Sequence, residues 1–101
     1  MEPLAAEFAR LIRQGLGDHV RQIVLFGSRA RGDARAGSDF DVLIVVDQSD
    51  PELRERVLDA SVEMLDRHSA LFATILRSEE VWRQSQGFPL AMNIAREGRA
   101  L

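Results

Sequence analysis

Apolar residues recur at Leu4, Phe8, Leu11, Ile12 and Leu16, the three- and four-residue spacing of one helix face. Gly15 and Gly17 are natural stops for that helix. Ile23 to Phe26 is a short apolar run that predicts a strand, and Gly27 ends it. Ser28 to Ser38 is polar and reads as a loop with one helical turn after Ser28. Asp39 to Val46 predicts a second strand, with Asp39, Asp41, Leu43 and Val45 on one face and Phe40, Val42, Ile44 and Val46 on the other. Asp50 and Pro51 form a helix start, an N-cap followed by a proline at the first helical position. Leu53, Val57, Ala60 and Met64 give that helix its buried stripe. Ala70 to Leu76 predicts a third strand. Ser78 caps a short helix carrying Val81 and Trp82, Gly87 and Pro89 break it, and Pro89 opens a last helix through Leu90 and Ile94 to Gly98.

Helix, strand, strand, helix, strand, helix, helix is the order of an α/β unit: a small mixed three-stranded sheet flanked by helices. No repeat or linker interrupts it, so residues 1–101 are expected to form a single domain. Composition narrows the function. With a net charge of −3 the whole surface is no magnet for nucleic acid. There is no cysteine, which removes disulfides and thiolate zinc sites. No apolar stretch is long enough to span a membrane, and residues 1–10 lack the layout of a signal peptide, so a cytoplasmic location is expected. All 13 basic residues are arginine. The absence of lysine excludes a Walker-type phosphate loop and transfer through a lysyl intermediate. Any nucleotide transfer must be direct, with metal ions supplying the electrostatics.

The chemistry gathers in the middle of the chain. Asp39 and Asp41, two apart on a strand, point the same way with about 7 Å between their Cα atoms. Side by side they repel, and a hard dication removes that cost; magnesium is commonly held by one or two carboxylates plus phosphates. Gly27 has no side chain, so a ligand can approach its backbone closely. Ser28 offers a hydroxyl and an N–H, and a helical turn starting there aims further N–H groups at an anion. Arg29, Arg31 and Arg35 suit phosphate oxygens. Taken singly, each feature has a plain alternative: two solvated acids at a strand end, a turn, a solvated basic surface. His19 and His68 are isolated and read as surface or satisfied polar groups, and Trp82 as a core anchor.

Together the features are more specific. Gly27-Ser28, ten residues (29 to 38), then Asp39-Phe40-Asp41 resembles the signature of the polymerase-beta-like nucleotidyltransferase superfamily. The run LFGSRARGDARAGSDFDVLIVV looks like its small stand-alone branch, the minimal nucleotidyltransferases, and the closing NIAREG stretch fits more loosely. The resemblance implies a polymerase-beta-like palm in which Gly27 and Ser28 bind the β- and γ-phosphates of a nucleoside triphosphate. It implies that Asp39 and Asp41 are catalytic and hold two magnesium ions, and that Arg29 and Arg31 assist on the phosphates. The activity implied is transfer of a nucleoside monophosphate, AMP from ATP, to a hydroxyl. The branch is commonly encoded beside a HEPN-type protein, for which it acts as antitoxin, so a HEPN-type partner is expected; a homo-oligomer is compatible with this.

Active members of the superfamily carry a third carboxylate on the next strand, whereas Ala70 to Leu76 holds no acid on either face. Asp66 precedes that strand and Glu79 and Glu80 follow it. The isolated chain is therefore expected to bind magnesium-ATP and to show little transfer to itself. The alternative from another class is a non-catalytic nucleotide-binding module that neutralises its partner by contact. The basic loop is too small for a polynucleotide track, which argues against nucleic acid as substrate.

Overall fold

The computed structural model describes residues 2–101. Helix α1 (Pro3–Leu16) starts where the Glu2 carboxylate accepts a hydrogen bond from the Leu4 amide at 3.0 Å, and Gly17 ends it with a positive φ of 57°. A single 3-10 turn (Gly17–His19) leads into β1 (Val20–Phe26), and α2 (Ser28–Arg31) is the helical turn expected after Ser28. Then follow β2 (Phe40–Val46), α3 (Pro51–His68), β3 (Phe72–Ser78), α4 (Glu79–Gln84), α5 (Pro89–Glu97) and β4 (Arg99–Ala100). The Asp50 side chain caps α3 by accepting from the Leu53 amide at 2.8 Å, with Pro51 at the first helical position.

The sheet has four strands in the order β3-β2-β1-β4, so the expected three gain a fourth. β4 is two residues long and polar at one of them, too short for any period-two pattern; pairing to β1 alone defines it, with Leu25 opposite Arg99. β1 and β2 are antiparallel, while β2 and β3 are parallel and joined through α3, as a parallel pair requires. β3 begins two residues later than the apolar run suggested and continues through Arg77 and Ser78. Its last residues are polar because β3 is the sheet's open edge, where solvent accepts them.

β2 lies at the centre, and all of it is buried except Asp41. Phe40, Val42, Ile44 and Val46 pack under α1 and α3 with Phe8, Ile12, Leu53, Val57 and Met64. Leu43 and Val45 face the other way, against Ile94 of α5 and the half-buried Trp82 of α4. Both faces are thus covered, which is why the strand reads as a near-continuous apolar run. Phe72 stacks between Phe8 and Phe40, with ring centroids 4.3 and 4.5 Å apart, and so pins the beginnings of β2 and β3 to α1.

Candidate active site

β1 delivers the chain to Gly27, which adopts φ 74° and ψ −159°, a conformation essentially restricted to glycine. Space imposes the same choice. A Cβ at Gly27 would overlap the Asp41 carboxylate oxygen and stand 3.2 Å from its Cγ. The backbone of the turn is therefore seated directly against one acid. From Gly27 the chain closes into α2: the amides of Ala30 and Arg31 donate to the Gly27 carbonyl at 3.1 and 3.0 Å, and Gly32, at φ 85°, stops the helix. The leading amides of such a turn have no helical acceptor and are available to an anion. Ser28 is half-buried beside them.

Asp39 is exposed and sits one residue ahead of β2; Asp41 is half-buried on β2, paired in register with Phe26. Between them Phe40 is pinned under the aromatic stack, so its two neighbours in sequence both turn away from the α1–α3 core. Burial pushes the Asp41 carboxyl above its ordinary range, the nearby Asp39 charge pushes it further, and Arg31 opposes them. A half-buried carboxylate beside a second one is a site that gains from a cation. Among the described residues no group of three or more histidine, cysteine, aspartate or glutamate side chains is arranged to hold a metal. The donor set of Asp39 and Asp41 therefore fits a hard ion completing its shell with phosphate and water oxygens, and does not form a cage of its own.

The arginines expected on phosphates already have protein partners. Arg29 donates from Nε and Nη2 to the Ser38 carbonyl at 3.2 and 2.9 Å, and its guanidinium lies 4.3 Å over the Phe40 ring. It braces the loop that leads into Asp39. Arg31 pairs with Asp33 and with Glu97, each at 3.2 Å. Two contacts here had no signal in the sequence, the Glu97 pair and a hydrogen bond from Arg99 Nε to the Ala30 carbonyl at 2.7 Å; both join residues more than sixty positions apart.

Register identifies the residue beside the acids on the next strand. Asp41 pairs with Ala73, which is exposed and shares its face. Asp66 lies on α3, over the opposite face of the sheet, and Glu79 and Glu80 begin α4 just after Ser78, which pairs with Val46. That is five residues, roughly 16 Å, along β2 from Asp41. None of the three acids reaches the pair. His19 and His68 lie away from it, each against a carboxylate: His19 Nδ1 is 2.9 Å from Asp47, and His68 Nε2 is 3.0 Å from Glu7.

A glycine turn pressed on an acid pair, on a mixed sheet of this order, has a counterpart among known proteins. Residues 6–84 match the nucleotidyltransferase domain family. The chain belongs to that family. This nucleotidyltransferase is 31% identical over 100 residues to a Methanocaldococcus jannaschii protein, MJ0604, that carries the provisional name protein adenylyltransferase; the match covers 99% of this chain and 96% of that one. Among solved structures it superposes with a TM-score of 0.68 on a toxin-antitoxin complex with AMP-PNP, at 18% identity, covering 95% of this chain and 70% of that one. A complex of tri-AMPylated Shewanella oneidensis HEPN toxin with MNT antitoxin gives a TM-score of 0.60 at 16% identity, covering 98% and 69%. At such identities the structural likeness establishes the fold. No helix among the described residues is long and apolar enough to cross a membrane.

Proposed function

We propose that this nucleotidyltransferase is a magnesium-dependent adenylyltransferase that moves AMP from ATP onto a hydroxyl of a protein partner, a HEPN-type toxin for which it serves as cytoplasmic antitoxin. The observation that carries the reading is the seat of Gly27 against Asp41. It brings a turn suited to phosphate oxygens into contact with one of two carboxylates that need a cation. The provisional name of the Methanocaldococcus relative supports AMP transfer to protein, and the Shewanella complex supports a HEPN-type partner.

In this reading the Gly27 and Ser28 backbone and the Ser28 hydroxyl hold the β- and γ-phosphates. Asp39 and Asp41 would hold magnesium, two ions once the nucleotide is present; bound there, magnesium offsets the charge of the triphosphate and the leaving pyrophosphate. Arg31 adds positive charge from its place beside Asp33 and Glu97, and Arg29 keeps the Asp39 approach rigid through Ser38 and Phe40. The acceptor oxygen attacks the α-phosphorus, an acceptor O–P bond forms, the bond to pyrophosphate breaks, and the hydroxyl proton leaves the acceptor. No carboxylate of this chain stands at the β3 position beside Asp41 to take that proton, since Ala73 occupies it. The partner therefore supplies that group, and the isolated chain, which has no tyrosine, transfers little to itself.

Ala73 also favours a second reading, a nucleotide-binding module that neutralises its partner by contact alone. Incubation with labelled ATP, magnesium and the protein encoded next door tests the first reading: label appears on the partner and disappears with Asp39→Asn. Co-expression separates the two. Rescue of growth by wild type and by an Asp39→Asn, Asp41→Asn double mutant alike refutes catalytic neutralisation, and rescue by wild type alone refutes neutralisation by contact.

A further inference from the structure

We propose that Arg99 and Glu97, which lie outside the family-matched residues 6–84, are positioning residues that set the Gly27–Ser28 turn against Asp41. The inference rests on the phosphate-binding role proposed for that turn. α2 is four residues long, buries only Ala30, and has no side-chain cap at Gly27. A helix this short does not sustain itself, because fixing its first turn costs more than its few hydrogen bonds return. Something else must hold it, and the end of α5 together with the residues after it do so at two points. Arg99 Nε donates to the Ala30 carbonyl at 2.7 Å, at the end of α2 where carbonyls lack helical partners. Glu97 Oε1 accepts from Arg31 Nη1 at 3.2 Å, and the Glu97 side chain is only 19% exposed.

The segment itself has no slack. A Cβ at Gly98 would overlap the Ile94 carbonyl and lie 2.6 Å from Val24 Cγ1, so the backbone is pressed flat on β1. β4 then pairs Arg99 with Leu25, two residues before Gly27. On the other side of β1, Phe26 pairs with Asp41. The turn is thus held between β2, which carries the acid, and the Glu97–Arg99 segment, which grips α2. A surface pocket of about 450 Å³ beside α2 is lined in part by Leu25, Arg29, Ala30 and Arg99, so α2 has open space next to it rather than packed neighbours.

The test is titration calorimetry with magnesium-ATP on wild type, Arg99→Ala, Arg99→Lys and Glu97→Gln, with amide hydrogen exchange on the nucleotide-free proteins. Arg99→Ala weakens magnesium-ATP about tenfold, the scale of one charge-assisted hydrogen bond. Arg99→Lys keeps a donor for the Ala30 carbonyl and restores affinity to within about threefold. Glu97→Gln loses about threefold. In Arg99→Ala the amides of Ala30, Arg31 and Gly32 exchange faster, while those of β2 do not. Wild-type affinity in Arg99→Ala, or equal losses in Arg99→Ala and Arg99→Lys, overturns the proposal. If Arg99→Ala does not fold, the comparison of Arg99→Lys and Glu97→Gln with wild type decides, and unchanged affinity and exchange in Glu97→Gln overturns the proposal. If wild type itself binds no magnesium-ATP, the phosphate role of the turn falls, and exchange at Ala30 to Gly32 alone decides whether Arg99 holds α2.

Discussion

Ala73 is the position at which the acid pair can be completed by a single substitution. It pairs in register with Asp41 on a parallel neighbour and is exposed on the same face, so Ala73→Asp places a third carboxylate about 4.8 Å, one strand spacing, from the second. Two unit charges at about 5 Å repel by roughly 3 kcal/mol at an effective dielectric of 20, and by under about 1 kcal/mol in bulk water. Ala73 is exposed and Asp41 half-buried, so the cost lies between those limits, about 1–2 kcal/mol. For a domain of this size that lowers the melting temperature by roughly 5–15 °C in the absence of divalent ions. Three carboxylates make a stronger cation site than two, so millimolar magnesium raises the melting temperature of Ala73→Asp more than that of wild type. The assay is thermal unfolding by circular dichroism with and without magnesium, followed by transfer of labelled AMP with and without a partner protein. The substitution also makes transfer less dependent on a partner. Equal melting temperatures for variant and wild type, with no added response to magnesium, would refute the register argument and with it the claim that Ala73 faces the acids.

Three further outcomes follow from the same geometry. Gly27→Ala forces a side chain into a conformation that costs non-glycine residues about 1–3 kcal/mol, and onto the Asp41 carboxylate as well; its melting temperature falls and magnesium-ATP binding is lost by calorimetry, whereas unchanged unfolding would mean the turn does not have this backbone. Asp39→Asn and Asp41→Asn leave the ligand-free protein as stable as wild type or slightly more so, and lose most of the rise in melting temperature that magnesium plus ATP gives wild type; equal rises in all three proteins would remove the metal-site assignment. The Asp41 carboxyl, raised by burial and then by Asp39, binds its proton more readily folded than unfolded, so ligand-free wild type loses stability relative to Asp41→Asn as pH rises from the ordinary carboxylate value through the raised one. Glu7 and Asp47, both lowered, act in the opposite sense but equally in the two proteins, so a difference in melting temperature that is flat with pH would contradict the assignment.

What the sequence made legible is what depends on neighbours in the chain. The α3 stripe Leu53, Val57, Ala60, Met64 is the set the structure buries, and the two faces of β2 divide between the two cores as alternation requires. The caps at Asp50 and Ser78 and the turn after Ser28 are equally local. What stayed hidden depends on pairing across the fold. β4 exists only because Val24 and Leu25 have Ala100 and Arg99 opposite them. The guanidinium of Arg29 looked free for phosphate because nothing nearby in sequence shows that Phe40 and the Ser38 carbonyl converge on it. Ala73 is the sharper case. Strand Ala70 to Leu76 visibly lacks an acid, but which of its residues stands where an acid would act is a question of register, fixed by the length of α3 and by Phe72 stacking between Phe8 and Phe40. A one-residue slip of β3 would put Thr74 beside Asp41 instead, and its hydroxyl would offer the site an oxygen ligand that Ala73 does not. The aromatic stack that orders the core is therefore also what sets Ala73, which offers no oxygen, beside Asp41.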